Sequence, residues 1–150
     1  MQNDKIYSEI THHLARSKTE ANYLIEEIEK LETSLYKTGE GNFDSVMEDS
    51  IRAKTAYAIT QSIGATDKKV FLKELKDKVK ALTYLRLTVA FEPSIATIGR
   101  IYSWVNQNLG EGVAVDIAID KNILGGANIE YKGKIGNFSL IDKVNKYFNQ

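Results

Sequence analysis

The stretch VAVDIAIDKNILGGANIEY, residues 113–131, decides the fold of the second half of this chain. Apolar β-branched residues occupy every second position of its first part, namely Val113, Val115, Ile117 and Ile119. Such alternation predicts a strand that lays one face on a core. A polar turn at 120–122 and the pair Gly125-Gly126 follow, and the sequence then predicts another strand over 127–131.

Upstream of this stretch, near position 83, the spacing of apolar residues changes from helical to strand-like. A strand is predicted there because apolar residues alternate with others, at Leu85, Leu87, Val89 and Phe91. Glu92-Pro93-Ser94 ends that strand and caps a helix, whose apolar stripe continues to Leu109. The crossover makes the first two strands parallel, and the short turn after the second predicts an antiparallel neighbour.

The end of the chain predicts a closing helix. Ser139 caps this helix, and Asp142 stands three residues on as its capping-box partner. Its apolar side consists of Ile141, Val144, Tyr147 and Phe148. Residues 83–150 are therefore expected to form a small module in the order strand, helix, strand, strand, helix.

The first helix is predicted from apolar residues on alternating steps of three and four: Leu14, Ala21, Leu24, Ile28, Leu31 and Leu35. This pattern predicts one long amphipathic helix. Its stripe, centred on Leu24, Ile28 and Leu31, has two interpretations. It packs against neighbouring helices of its own domain, which is the commoner arrangement, or it forms a coiled-coil-like surface for a partner helix.

The loop TGEGN at 38–42 separates this helix from a second one, which is expected to start at Asp44 or Ser45 and end at Gly64. Thr66-Asp67 then opens a third helix. The sequence thus predicts an α+β protein. A bundle of three or four helices occupies residues 1–82, and the small β-α-β-β-α module occupies residues 83–150.

The bulk composition limits the classes of function. Lysine and arginine total 20, as do aspartate and glutamate, so no net field steers the chain to nucleic acid or to an anionic bilayer. The chain has no cysteine, which excludes disulfides, thiolate metal sites and cysteine nucleophiles. No stretch approaches the roughly 18 apolar residues of a spanning helix, so we expect no direct membrane insertion.

Residues suited to catalysis are sparse. His12 and His13 are adjacent, whereas a metal-binding pair on a helix needs a spacing of three or four. Asp116 and Asp120 share a strand face but lie about 13 Å apart by strand geometry, too far to share a proton. The sequence therefore predicts no active site, no metal and no cofactor. Trp104 is expected to be buried, and if it is exposed it is a candidate interface anchor.

Residues from about 79 to 148 resemble the C-terminal part of the delta subunit of F-type ATP synthases, the family of the oligomycin-sensitivity-conferring protein (OSCP). The shared features are a strand that ends in an acidic residue, a hydrophobic residue before Gly-Gly, and a serine segment that opens the last helix. Here they fall on Asp120, Leu124, Gly125, Gly126, Ile129, Ser139 and Leu140. The chain departs from the family at Asn137 and Phe138, where Asp-Gly is usual, and its helical part is shorter.

The resemblance implies a non-catalytic subunit of the peripheral stalk, which links the catalytic head to the membrane-anchored stator and resists rotor torque. Its implied partners are the N-termini of the alpha subunits and the b-type stalk subunit. It also implies a location at the cytoplasmic face of the cell membrane, held through the complex. The alternatives are a helical adaptor protein and an E-type stalk subunit of an archaeal or vacuolar ATPase. The loop at 38–42 disfavours the E-type, whose N-terminal helix is longer.

Overall fold

The structure, a computed structural model, describes residues 2–123 and 126–137. The chain divides into two compact units, residues 1–82 and residues 83–150. We call the first the helical unit and the second the sheet unit, because the first contains helices and the second a small mixed sheet with one helix. Since the helices precede the strands in this way, the predicted α+β class is confirmed.

The described part of the helical unit contains five helices, which are α1 (Gln2–Leu14), α2 (Lys18–Ser34), α3 (Phe43–Asp49), α4 (Ala53–Ile63) and α5 (Lys68–Lys80). The expected long first helix is divided into α1 and α2, and the expected helix from 44 to 64 is divided into α3 and α4. The predicted opening of α5 is confirmed, since the Asp67 side chain accepts the backbone N–H of Val70 at 3.1 Å.

A capping box sets the break between α1 and α2. The Ser17 hydroxyl accepts the backbone N–H of Glu20 at 3.1 Å, and the Glu20 carboxylate accepts the N–H of Arg16 at 3.0 Å. Ser17 itself is extended, with φ −126 and ψ 163. The first bond satisfies an amide that the N-terminus of α2 leaves free, and the second holds the residue before the cap against the first turn. The prediction of one continuous helix from Leu14 to Leu35 is therefore wrong.

The start of α3 also differs from the prediction. The Asn42 side chain accepts the N–H of Ser45 at 2.9 Å, so the cap is Asn42, the last residue of the loop, and not Asp44 or Ser45. An amide oxygen at this position satisfies a free N–H in the first turn of the helix as well as a carboxylate does.

The core of the helical unit lies where α2 packs against α5 and α1. Its largest fully buried apolar side chains are Leu24, Ile28, Leu31, Ile59, Phe71, Leu72, Leu75 and Val79. The ring of Tyr7 packs on Phe71 at 5.2 Å between centroids. Because burial of each aliphatic side chain contributes about 1.5–3 kcal/mol, this apolar stripe supplies most of the packing energy of the unit.

The described part of the sheet unit consists of β1 (Thr83–Val89), α6 (Ile95–Leu109), β2 (Val113–Ile119), β3 (Ala127–Tyr131) and β4 (Lys134–Asn137). The strand order is β2-β1-β3-β4. β1 is parallel to β2, as the crossover through α6 predicts, and β3 is antiparallel to both β1 and β4. Ser94 caps α6 as expected, since its hydroxyl accepts the N–H of Thr97 at 3.2 Å.

One face of the sheet packs against α6. The buried residues of this layer are Leu85, Leu87, Val105 and Val115. On the other face, Arg86 lies between Asp116 on β2 and Glu130 on β3, so the charges alternate across three strands. The predicted alternation is confirmed for β1, where Leu85 and Leu87 are buried and Arg86 is exposed. β2 follows it only in part, because Ala114 is also buried and Ile119 is exposed.

Two features of the sheet differ from the prediction. The short connection after β2 predicts β2 as the neighbour of β3, but the structure pairs β3 with β1, and Val89 lies opposite Ala127. The resemblance also places Asn137 in the segment that opens the last helix, whereas Asn137 ends β4, a strand that the sequence does not predict. A tight turn at Lys132 and Gly133, both at positive φ, returns the chain from β3 to β4.

Candidate functional site

The apolar stripe of the first predicted helix serves the core of the helical unit. Leu24, Ile28 and Leu31 are each 0% exposed on α2. Their neighbours lie on α1 and α5, which pack against α2. A partner helix cannot reach these side chains while the unit is folded, so any partner must bind residues elsewhere on its surface.

An ion pair between Glu27 and Arg52 joins α2 to the start of α4. Glu27 is 5% exposed, and its carboxylate accepts the Arg52 backbone N–H at 2.9 Å and the Nε–H at 2.6 Å. Arg52 is the N-cap residue of α4 and makes no cap with its own side chain. Glu27 thus caps α4 from a neighbouring helix, and the Arg52 guanidinium also lies 5.7 Å from the centre of the Tyr23 ring.

Three apolar side chains are exposed where the parallel strands of the sheet unit end. Phe91 is 78% exposed, Ile95 is 90% exposed and Ile119 is 50% exposed. Ile119 is the register partner of Val89 at the end of β1, Phe91 follows two residues later, and Ile95 begins α6. Because the carboxyl ends of parallel strands lie at one edge, these residues share that edge. We call Phe91, Ile95 and Ile119 the carboxyl-edge patch.

Apolar patterning places all three residues on core-facing sides, and all three predictions are wrong. Ile119 is the last residue of β2 and lies beyond the apolar layer that includes Val115 and Ile117. Phe91 continues the alternation of β1, but the strand ends at Val89, because the chain must turn toward Pro93 and α6. Ile95 continues the apolar stripe of α6, but it stands in the first turn, beyond the end of the sheet that the rest of the stripe covers. Each residue continues an apolar pattern past the end of the buried layer, so the pattern gives no signal of its exposure.

The backbone at this edge is bonded within the unit. The N–H of Asp120 donates to the carbonyl of Val89 at 2.8 Å, and the Asp120 side chain accepts the N–H of Asn122 at 2.9 Å. Ser94 satisfies the N-terminus of α6. The predicted site residue Asp120 therefore closes the end of the sheet and forms the turn that leads to β3.

Gly126 stands at the entry to β3 with φ +75. Side chains with a Cβ rarely adopt this conformation, so the glycine is required by the backbone itself. The other residues proposed around it from the sequence, Leu124 and Gly125, lie outside the described residues. So do Ser139 and Leu140 at the predicted closing helix.

Trp104 lies on α6 and is 50% exposed, although the sequence favours a buried position. Its carbonyl accepts a hydrogen bond from the Asn108 amide at 2.8 Å, one turn later. The indole thus presents about half of its surface outside the core that α6 forms with the sheet. It remains a candidate anchor for a partner.

Two open grooves lie on the described surface of the helical unit. The larger, about 720 Å³, follows the outer side of α2 and is lined by Glu26, Glu29, Lys30 and Lys37 among others. The smaller, about 500 Å³, includes Tyr36, Lys68 and Lys69 near the start of α5. Each groove is open to solvent and lined by both acidic and basic side chains. Neither brings together a set of side chains that indicates a particular reaction.

Two tyrosines have raised pKa values. Burial, and next the Glu74 carboxylate, raise the pKa of Tyr7 to about 12. Burial, and next the charge of Asp116, raise the pKa of Tyr84. Both shifts favour the neutral phenol. Tyr7 thus belongs to the packing of α1 on α5.

Among residues 2–123 and 126–137, no cluster of three or more histidine or carboxylate side chains is arranged to hold a metal ion. Within the same part of the chain, none of the helices combines the length and the apolar character that a membrane crossing requires.

Comparison with known protein families finds no family model that matches the chain, and comparison with curated proteins finds no significant match.

Proposed function

We propose that the chain is a delta-type, OSCP-like peripheral-stalk subunit of a rotary ATP synthase. In this role it is a non-catalytic connector between the catalytic head and the stator. The helical unit binds the N-termini of the alpha subunits, and the sheet unit binds the b-type stalk subunit. The complex holds the chain at the cytoplasmic face of the cell membrane.

The observation that carries this proposal is the fold of the segment that resembles the family. Its strand ends at Ile119, Asp120 closes the turn, and Gly126 takes a positive φ before β3. These are positions where the resemblance has an alternating strand, an acidic residue and a glycine. The residue types at Ile119, Asp120 and Gly126 therefore each have a structural reason in this fold, which supports the resemblance.

The division of the N-terminal helices supports the delta type over the E-type stalk subunit. The E-type begins with a long uninterrupted helix, whereas here α1 ends at Leu14 and α2 ends at Ser34. The helical unit instead buries the stripe of α2 internally, which suits a compact bundle that binds through its outer surfaces.

Copurification tests the proposal directly. The tagged full chain is expressed in its native host, membranes are dissolved in a mild detergent, and bound proteins are identified by mass spectrometry. We expect the alpha subunits and the b-type subunit together. Recovery of the chain without any ATP synthase subunit would overturn the proposal.

A further inference from the structure

We propose that β2 pairs with β2 of a second copy of this chain, as two antiparallel strands related by a two-fold axis at Ile117. The pairing joins the four-stranded sheets of the two copies into one continuous sheet. The inference goes beyond the proposed function and does not depend on it, because the interface involves only this chain.

The outer edge of β2 is the surface that this pairing uses. In the described part of the sheet, β2 stands at the end of the strand order and has β1 on one side only. At one end of the pair, the N–H of Thr83 donates to the carbonyl of Gly112. At the other end, the N–H of Asp120 donates to the carbonyl of Val89. Because alternate residues of a strand bond to one neighbour, the even-numbered residues of β2 face β1. The N–H and carbonyl groups that point outward are therefore those of Val113, Val115, Ile117 and Ile119.

The composition of β2 leaves this edge open to pairing. Proteins usually protect the edge of a sheet with a short strand, a lysine, a proline or a bulge. β4, the strand at the opposite edge of the described sheet, has four residues and begins with Lys134. β2 has seven residues, VAVDIAI, of which six are apolar, and its unbroken register with β1 leaves no bulge. A strand of this kind is a template for a strand of another chain.

The charge of Asp116 selects the position of the two-fold axis. Residues directly opposite each other in an antiparallel pair share a face, and like charges there are destabilising. An axis at Asp116 places two copies of this carboxylate opposite each other. An axis at Ala118 places Asp116 opposite Asp120 of the second copy. An axis at Ile117 places Asp116 opposite Ala118 instead, and Arg86 stands beside Asp116 on β1 in each copy.

The exposed end of β2 distinguishes the remaining positions of the axis. An axis at Val115 also separates the carboxylates of Asp116, but it places Ile119 opposite Glu111 of the second copy. An axis at Ile117 places Ile119, which is 50% exposed, opposite Val115 of the second copy. The outward groups of these residues then form about six backbone hydrogen bonds between the copies.

A second copy is the occupant that this edge fits. The strand is self-complementary about Ile117, since apolar residues meet apolar residues on one face and Asp116 meets alanine on the other. The assembly closes at two copies, because β2 is consumed by the pairing and β4 carries Lys134 at the other edge.

The test measures the mass of the purified full chain by sedimentation velocity, from low to high micromolar concentration. We expect a concentration-dependent species with twice the monomer mass of 16.9 kDa. Ile119→Lys places a charge on the apolar side of the pair and should raise the Kd of the dimer roughly tenfold or more. The matched control, Ile135→Lys, makes the same change on β4, where Ile135 is 78% exposed, and should leave this Kd unchanged.

Substitutions at Ala118 test the register. Ala118 lies opposite Asp116 of the second copy when the axis is at Ile117. Since the symmetric pair contains this contact twice, Ala118→Glu should raise Kd about fivefold and Ala118→Lys should lower it about fivefold. Damage to the fold raises Kd in both variants, so opposite signs identify the pairing. Far-UV circular dichroism and thermal unfolding check the fold of each variant.

Each outcome decides the inference. A chain that stays monomeric at every concentration refutes it, and so does a dimer that Ile119→Lys leaves intact. A mass that grows beyond two copies also refutes it, because one open edge in each copy allows only a closed pair. Equal effects of the two Ala118 variants contradict the axis at Ile117. These results leave the proposed function unaffected, since recovery of ATP synthase subunits tests that function separately.

Discussion

At the scale of single residues, the buried carboxylate of Glu27 accepts two hydrogen bonds from Arg52 across the helical unit. It pairs with the partly buried guanidinium of Arg52 and accepts the Arg52 backbone N–H, so Glu27→Ala removes the partner of both groups. We expect a loss of about 3–5 kcal/mol in the free energy of unfolding, measured by urea titration. Asp77→Asn breaks the exposed pair with Lys73 and should cost less than about 0.5 kcal/mol. Equal losses would show that the Glu27 contact is not special.

Substitution by alanine should lower stability at Gly126 and raise it at Gly99. Gly126 has φ +75, so Gly126→Ala places a Cβ in a disfavoured conformation and should cost about 1–2 kcal/mol. Gly99 lies in α6 with open space around its Cβ position, so Gly99→Ala should gain about 0.5–1 kcal/mol. Differential scanning calorimetry measures both, and a neutral Gly126→Ala would show that the entry to β3 tolerates a side chain.

The raised pKa of Tyr7 predicts that the free energy of unfolding decreases at alkaline pH. Its pKa rises from 10.0 to about 12, so folding favours the neutral phenol. That contribution is complete below pH 10 and is lost as pH rises from 10 toward 12. We expect the urea midpoint of the wild type to fall over this window and that of Tyr7→Phe to fall less. Parallel decreases in the two proteins would contradict this assignment.

Single residues also show how far sequence reasoning reaches. The need for glycine at Gly126 follows from the sequence, because Gly-Gly at a strand start indicates unusual backbone angles. The exposure of Phe91 and Ile95 does not follow, because each continues an apolar pattern and the pattern does not reveal where the element ends. The link between Glu27 and Arg52 is 25 positions long, and no local spacing encodes it.

At the scale of elements, the break between α1 and α2 depends on a local cap that the apolar spacing conceals. Ser17 and Glu20 form the S-x-x-E signature, which identifies a helix start, yet Leu14 and Ala21 continue the heptad-like spacing across it. A period of apolar residues reports which face is buried. It does not report whether the backbone between them is continuous.

Ser17→Ala should therefore destabilise the helical unit by about 1 kcal/mol, because it removes the hydroxyl that accepts the Glu20 N–H. Ser17→Asp restores an acceptor and should recover most of the loss. Thermal unfolding followed at 222 nm compares the two variants. If Ser17→Ala is neutral and helix content rises, the two helices have joined into one, and the cap is not what separates them.

The pairing of β3 illustrates a limit at the same scale. The parallel pair of β1 and β2 is predictable, because a helical crossover leaves one arrangement. The position of β3 beside β1 is not, because a short connection can also pass over the end of a neighbouring strand. That choice is seen only in the pairing of β3 with β1, where Val89 lies opposite Ala127, and these residues are far apart in the sequence.

At the scale of the whole molecule, the α+β class and the order of elements from β1 to β3 follow from the periods of the sequence. The sequence does not reveal which apolar residues are buried in the core and which remain exposed on the surface. The apolar stripe around Leu24 and Ile28 is internal, whereas Phe91, Ile95 and Ile119, from three separate segments, are exposed at one edge of the sheet unit. Surfaces of that kind depend on tertiary structure.

The most direct test of the account is whether this chain joins the catalytic head to the stator. Purified head and soluble b-type stalk from the same organism are mixed with and without the full chain, and native mass spectrometry records the assemblies. We predict a complex that contains head, chain and stalk, and no association of head with stalk when the chain is omitted. Equal association of head and stalk without the chain, or a chain that binds neither, would contradict the assignment.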